Sequence, residues 1–135
     1  MANTQVHRTT LALTGLRVVV AGLLFIHGSS RLLTNGIPGF GEFFVGHHLP
    51  AAGAWVVTGL EIVATPVLAF GLWVRLLALY FAAELIAGVI LVHAQYGWFV
   101  VGGGTNGMEY SVLLISVLVA VAFSPPASTH ARDDR

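Results

Sequence analysis

The sequence predicts an all-α, polytopic integral membrane protein: a four-helix bundle with both termini in the cytoplasm. Of its 135 residues, 56% are hydrophobic and only 9% are charged, and the mean hydropathy is +0.85. About a quarter of the residues of a soluble domain are charged, so this composition indicates a membrane protein. Four apolar runs cross the sequence, and arginines cluster at the chain ends and in one short turn. Because basic residues favour the cytoplasmic side, both termini are expected there.

The first predicted span, residues 11–33, is interrupted by Arg17, His27 and Arg31. As a helix it would be roughly 34 Å long, slightly more than the hydrocarbon thickness. It is too long for a signal peptide and lacks a cleavage site, so we expect it to be retained. An arginine near mid-membrane costs about 2.5 to 3.5 kcal/mol, and the three side chains share one helical stripe. The stripe is either a clamp between helices or a binding site.

The segment between the first two spans, residues 37–50, is too polar and too rich in glycine to cross the membrane. Phe40, Phe43 and Phe44 stand at i, i+3 and i+4, which predicts a short helix with one aromatic face in the headgroup interface. The second span, residues 51–73, carries Glu61 near its middle. Thr58 and Thr65 share the side of Glu61, which forms a second polar stripe.

A tight turn joins the second span to the third, residues 75–93, which contains Glu84. An apolar, glycine-rich loop then leads to the fourth span, residues 108–123, which Pro125 and Pro126 terminate. The predicted organisation is therefore a polar tail at residues 1–10, a transmembrane domain at residues 11–123 and a cytoplasmic tail at residues 124–135.

A weak internal repeat relates the first and third spans, AGLLFIH at residues 21–27 and AGVILVH at residues 87–93. If His27 and His93 lie at one depth, Arg17 and Glu84 differ in depth by only about 1.5 Å, which predicts a buried ion pair between them. The two histidines then point in different directions, which argues against a haem held by both. We expect no metal site.

A candidate ligand site lies at the outer interface, where His27, Arg31 and Glu109 are predicted to converge, with His93 as a further candidate. Glu61 is predicted as a polar group near the midplane. The sequence has no cysteine, which excludes thiol chemistry within the chain, and its formal net charge of zero gives no indication of nucleic-acid binding. Any redox role therefore needs a bound molecule or a partner, since no intrinsic cofactor is evident.

The sequence resembles the DoxX family of small four-helix bacterial membrane proteins over roughly residues 16–123. The similarity rests on GLRVVVAGLLFIHGSSRLL, on the loop closed by Leu49 and Pro50, on GLEIVATPVLAFGLWVR, and on His93 followed by a glycine-rich loop and MEY. The resemblance implies a multi-pass protein of the cell inner membrane and an association with membrane redox systems. Two departures are Arg31, where lysine is common, and the Ser29-Ser30 spacer.

Three functions remain open at this point. The first is a subunit of a quinone-linked oxidoreductase, in which quinone is the ligand and His27, Arg31 and Glu109 supply hydrogen bonds. The second is a small proton-coupled carrier that uses Glu61 and Glu84 as relays. The third is a non-catalytic membrane scaffold. The expected partners are the lipid bilayer and either a redox enzyme or a second copy of the chain.

Overall fold

The computed structural model describes residues 2–101 and 106–124, with side-chain detail from residue 4 onward, and every regular element within these ranges is helical. This confirms the predicted all-α class. The helices are α1 (Ala2–Leu33), α2 (Ile37–Gly46), α3 (Gly53–Ala69), α4 (Val74–Gly88), a π-helical turn (Val89–His93), a short 3-10 turn (Ala94–Tyr96) and α5 (Glu109–Ala122).

Two helical stretches, Thr4–Leu33 and Val74–Tyr96, are long and apolar enough to cross a membrane. The other two apolar helices are shorter, with 17 residues in α3 and 14 in α5. At about 1.5 Å per residue, α3 is roughly 26 Å long, just short of a typical hydrocarbon core. Four complete spans and the orientation of the termini therefore stay predictions, whereas the membrane-crossing capacity of two helices is a property of the fold.

The boundaries of α1 differ from the prediction at one end. The helix begins at Ala2, so the described part of the predicted polar tail is continuous with it. The hydroxyl groups of Thr9 and Thr10 donate to backbone carbonyls one turn earlier, so both hydroxyl groups have hydrogen-bond partners within the helix. At the other end, Asn35 takes a left-handed backbone conformation with φ of 56°, as the predicted Thr-Asn-Gly terminator requires. The predicted C-terminal tail lies, apart from Ser124, outside the described residues.

The helix predicted within residues 37–50 is present as α2, with Pro38 in its first turn. Its aromatic face is confirmed, because the rings of Phe40 and Phe44 pack edge to face with centroids 4.9 Å apart. Phe44 also fixes the distance to α3. A Cβ atom at Gly53 would overlap the Phe44 ring, so a larger residue at this position would require the ring or the start of α3 to move.

The chain divides into two compact units. One contains Arg17–Leu77, and the other contains Met1–Leu16 together with Ala78–Arg135. In the first unit the predicted polar stripe of α3 is buried: Thr58, Glu61 and Thr65 are each at most 2% exposed, and α3 continues through Pro66 to Ala69. The second unit has an apolar core that includes Phe81 and Leu118. The polar interior of the first unit is the feature that bears on function.

Candidate functional site

The centre of the site is the carboxylate of Glu61, which is 1% exposed. Two side chains from α1 reach it. The Nη1 atom of Arg31 lies 2.7 Å from Oε2, and the Nδ1 atom of His27 lies 3.0 Å from Oε1. A buried carboxylate is costly unless it is paired and hydrogen-bonded, and here each oxygen has its own donor. We call His27, Arg31, Thr58 and Glu61 the polar cluster.

The sequence produces this arrangement through helical spacing and one glycine. His27 and Arg31 are four residues apart on α1 and therefore lie on the same face. Gly28 lies between them at the point where α1 meets α3. A Cβ atom at Gly28 would lie 2.7 Å from the Cβ of Glu61 and 3.3 Å from Cγ1 of Ile62. The absence of a side chain at residue 28 thus allows the two helices to bring their polar groups within hydrogen-bonding distance.

Arg31 joins three helices through one guanidinium group. Its Nη1 atom also donates to the hydroxyl oxygen of Thr58 at 2.9 Å, and its Cζ atom lies 4.2 Å from the centroid of the Phe40 ring on α2. The side chain is 13% exposed. Charge, hydrogen bonds and the aromatic face therefore all favour one position of the guanidinium group. The cluster holds one cation and one anion, so it is neutral when His27 is neutral.

His27 is the exposed member of the cluster, with 65% of its side chain accessible. Its Nδ1 atom faces Glu61 at 3.0 Å and Nη2 of Arg31 at 3.4 Å. A carboxylate can only accept a hydrogen bond, so the proton of the neutral ring belongs on Nδ1, which donates to Glu61. The guanidinium group of Arg31 is farther away and, having only donors, cannot accept a hydrogen bond from this nitrogen. The Nε2 atom has no partner among the described residues. The result is an imidazole ring oriented by a buried carboxylate and open on its other side.

Such a ring can accept a proton or a hydrogen bond at Nε2. Once Nε2 is protonated, it can donate a hydrogen bond or the proton itself to a bound molecule. The protonated ring is stabilised by Glu61 at Nδ1. The guanidinium group of Arg31, 2.7 Å from Oε2, balances the negative charge of an ionised Glu61. The arrangement supports general acid and base chemistry on a molecule that approaches the exposed face of α1.

His27 and Arg31 were predicted to converge with Glu109, which lies in the other unit, and that contact stays a prediction. Within their own unit both bind Glu61, which was predicted as a polar group near the midplane. The stripe of Thr58 and Glu61 could have indicated this contact. A hydroxyl group and a carboxylate inside a membrane need hydrogen-bond donors or a cation on a neighbouring helix. Thr58 was noted as part of that stripe and contributes directly to the site as an acceptor for Arg31.

Glu109 and His93 belong to the second unit, where each makes a contact that organises the loop before α5. The Oε1 atom of Glu109 accepts a hydrogen bond from the backbone N–H of Val100 at 2.9 Å. The Nδ1 atom of His93 lies 2.8 Å from the carbonyl oxygen of Asn106. These contacts give both residues a local structural role. Their participation in a ligand site stays a prediction.

Arg17 lies at the carboxyl-terminal end of α3, where its Nη2 atom donates to the carbonyl oxygen of Ala69 at 3.4 Å. A cation at this end of a helix is favoured by the helix dipole. The adjacent Gly71 has φ of +84° and a Cβ atom there would lie 3.1 Å from the guanidinium group. The ion pair of Arg17 with Glu84, which lies in the other unit, stays a prediction. Among residues 2–101 and 106–124, no group of three or more acidic, histidine or cysteine side chains could hold a metal ion.

Comparison with known proteins identifies similar sequences but no similar solved structure. The family model DoxX matches residues 12–94, which include all four members of the polar cluster and exclude Glu109. A Bacillus subtilis (strain 168) protein described as "Putative oxidoreductase CatD" is 30% identical over 109 residues, which cover 81% of this chain and 77% of the relative. No solved structure matches the chain.

Proposed function

The chain belongs to the DoxX family, and from this premise we propose that it is the quinone-binding subunit of a redox system in the cell inner membrane. The observation that carries the proposal is the exposed imidazole of His27, oriented at Nδ1 by the buried carboxylate of Glu61. A quinone head group needs hydrogen-bond donors and its quinol form offers hydroxyl groups to acceptors, and Nε2 of His27 can serve as either one, depending on its protonation, while the tail stays in the lipid. The description of the Bacillus subtilis relative as an oxidoreductase agrees with a redox role.

Reduction of a quinone to a quinol takes two electrons and two protons. The chain has no cysteine and no evident intrinsic redox group, so the electrons come from a partner oxidoreductase. The protons pass one at a time through Nε2 of His27, which donates to a quinone oxygen and is then protonated again from the aqueous side. Glu61 stabilises the imidazolium form at Nδ1 during this exchange, and Arg31 balances the negative charge of the carboxylate.

The position of His27 near one end of α1, six residues before Leu33, fits this chemistry. The residue lies within the helical stretch Thr4–Leu33, which is long enough to cross a bilayer, and its ring is more than half exposed. Near the end of such a span, water can reach the ring from the membrane surface, and a molecule dissolved in the lipid can approach Nε2 laterally. A lipid-soluble quinone does so, whereas a charged water-soluble substrate would have to leave water at a cost of several kcal/mol.

We expect His27→Gln to abolish quinone binding while it leaves the fold intact. Glutamine can keep a donor for Glu61 but has no second ring nitrogen in the place of Nε2 that could form a hydrogen bond to the quinone head group. Because His27 is exposed, the loss in free energy of unfolding should be only about 1 kcal/mol. The measurement is the thermal midpoint of the detergent-solubilised protein with and without a tail-free benzoquinone.

The matched control is His47→Gln, since His47 lies in the same unit and bonds to the backbone carbonyl oxygen of Phe43, away from Glu61. The control should keep the full quinone-dependent shift of the thermal midpoint. If the wild-type protein shows no such shift, or if His27→Gln retains it, the polar cluster is a helix clamp and the chain acts as a non-catalytic scaffold.

The multi-pass topology can be tested directly because the sequence has no cysteine. Single cysteines at Asn3 and Ser128 should both resist an impermeant thiol reagent in intact cells and react after the cells are permeabilised, since the arginine distribution places both termini inside. A cysteine at Gly39, in the segment expected outside, is the positive control. Labelling of either terminal cysteine in intact cells would overturn the topology.

A further inference from the structure

The turn that joins α3 to α4, residues 70–73, exposes large apolar side chains. Phe70 is 83% exposed, Leu72 60% and Trp73 74%, and the remaining residue is Gly71. Turns in contact with water are usually built from glycine, proline and short polar residues, whose side chains bond to water or to the backbone. Three large apolar side chains that project from one turn instead indicate a surface in contact with an apolar medium or partner.

The last four backbone carbonyl groups of α3 all have hydrogen-bond partners within the protein. Three of them accept from backbone N–H groups of the turn at 2.9 to 3.1 Å: Pro66 from Phe70, Leu68 from Gly71, and Val67 from Leu72. The fourth, the carbonyl of Ala69, accepts from Nη2 of Arg17 at 3.4 Å. Carbonyl groups at the end of a helix have no partner within the helix and are often left to water, which the hydrocarbon region does not supply. The end of α3 therefore needs no water.

Trp73 takes a left-handed backbone conformation with φ of 49°. Two other turns of the same unit reach this conformation with polar residues, Asn35 and His48. Asparagine and histidine are enriched in this region of backbone space, whereas a bulky residue is rare there. Tryptophan combines an apolar ring with one polar N–H group, which suits the boundary between acyl chains and headgroups. The residue at this position thus matches a lipid boundary better than it matches an aqueous turn.

The helix α3 is too short to carry the turn out of a bilayer. Its 17 residues span roughly 26 Å, whereas the hydrocarbon core is about 30 Å thick. When the first residue of α3 lies at one headgroup boundary, the last does not reach the other. The next long apolar stretch begins at Val74, directly after the turn. Arg75 is exposed and limits the depth, because a long basic side chain near a helix end can extend to the headgroups.

We propose that the α3–α4 turn is embedded in the membrane and contacts lipid through Phe70, Leu72 and Trp73, at the level where acyl chains meet headgroups. Lipid is favoured over a protein partner because the apolar surface continues onto both flanking helices, where Val63 and Leu76 are exposed. A docking patch for a protein usually has a polar rim. Between residues 62 and 77, all of which the structure describes, Arg75 is the only exposed polar residue. The proposal does not depend on quinone binding.

The test uses single cysteines in the full-length protein, each labelled with a polarity-sensitive nitrobenzoxadiazole fluorophore, in phosphatidylcholine nanodiscs that leave both membrane faces accessible. Phe70→Cys and Leu72→Cys probe the turn. Thr34→Cys, exposed in the turn after α1, is the water reference, and Val63→Cys, exposed on α3, is the lipid reference. We expect both turn probes to emit at shorter wavelength than the probe at residue 34. A phospholipid with a nitroxide near the start of its acyl chains should quench them, and aqueous iodide should not.

Two results would overturn the proposal. Iodide quenching of the turn probes equal to that at residue 34 would place the turn in water. Protection from both iodide and the nitroxide lipid would show that protein, for example a second copy of the chain, covers the turn. Two turn positions are used so that one label or one poorly folded variant does not decide the result. Quinone binding at His27 is measured separately, so the two proposals can fail independently.

Discussion

Glu61→Gln should lower the free energy of unfolding by about 3 kcal/mol or more, the largest loss expected for a single substitution in the polar cluster. Glutamine has nearly the size of glutamate, so the packing of α3 is kept while the charge is lost. Arg31, 13% exposed, is then left without its counter-charge at 2.7 Å. Removing one partner of a buried ion pair costs about 3 to 5 kcal/mol because the other charge stays in the interior. The measurement is unfolding of the purified protein in mixed micelles titrated with sodium dodecyl sulfate.

The double variant Arg31→Met and Glu61→Gln identifies the origin of the loss. With both charges absent, the double variant should lose less than the sum of the two single variants by at least about 1 kcal/mol. His27→Gln alone is the control for loss of a hydrogen bond without loss of a buried charge, and it should cost about 1 kcal/mol. Additive losses from Arg31→Met and Glu61→Gln would contradict an energetically coupled pair.

The fold could be predicted from the sequence where hydropathy and spacing are strong. The apolar runs gave the positions of α1, α3, α4 and α5, and the spacing of Phe40, Phe43 and Phe44 gave α2 and its aromatic face. The first and last residues of the helices were less predictable, because an apolar run does not show at which residue the helical backbone hydrogen bonds begin or end. The second span was predicted from residue 51, but residues 51 and 52 lie in a turn and α3 begins at Gly53.

The contact of His27 with Glu61 could not be predicted from the internal repeat. The repeat relates the first and third spans and paired Arg17 with Glu84, whereas His27 was predicted to converge with Arg31 and Glu109 at the outer interface. The depths of His27 and Glu61 can instead be compared from the end of α1 and the start of α3, the two helix ends that α2 connects. His27 lies six residues before the end of α1, and Glu61 lies eight residues after the start of α3, or about 9 Å and 12 Å along the helix axes. Matched depth on consecutive helices was the signal.

A second limit is local helix geometry near His93. The prediction that His27 and His93 point in different directions uses the position of Glu84 on the third span and assumes 100° per residue, but a π-helical turn begins at Val89 and contains His93. Each residue of such a turn rotates less than in an α-helix, so the direction of His93 cannot be extrapolated from Glu84. No residue pattern in VILVH marks this change, since the segment is uniformly apolar apart from the histidine.

The polar cluster depends on a close approach of two helices as much as on its charges. Arg31 and His27 contact Glu61 only because Gly28 presents no side chain to α3. Adding a single methyl group at residue 28 should therefore disturb the polar cluster, although glycine contributes no side chain to it. The same helix also contains Gly22, whose Cβ position has no neighbouring atom within 4 Å. The two glycines therefore form a matched pair for a test.

Gly28→Ala should destabilise the protein by about 1 to 3 kcal/mol, whereas Gly22→Ala should be neutral or slightly stabilising. The added methyl group at residue 28 would lie 2.7 Å from the Cβ of Glu61, an atom fixed to the backbone, so α1 and α3 must separate. Separation lengthens the bonds from His27 and Arg31 to the carboxylate, and we expect a parallel loss of affinity for the tail-free benzoquinone. Unfolding in mixed micelles and quinone titration of both variants provide the measurement. Equal stability and equal quinone affinity in Gly28→Ala and Gly22→Ala would show that the approach of α1 to α3 at residue 28 does not hold the site together.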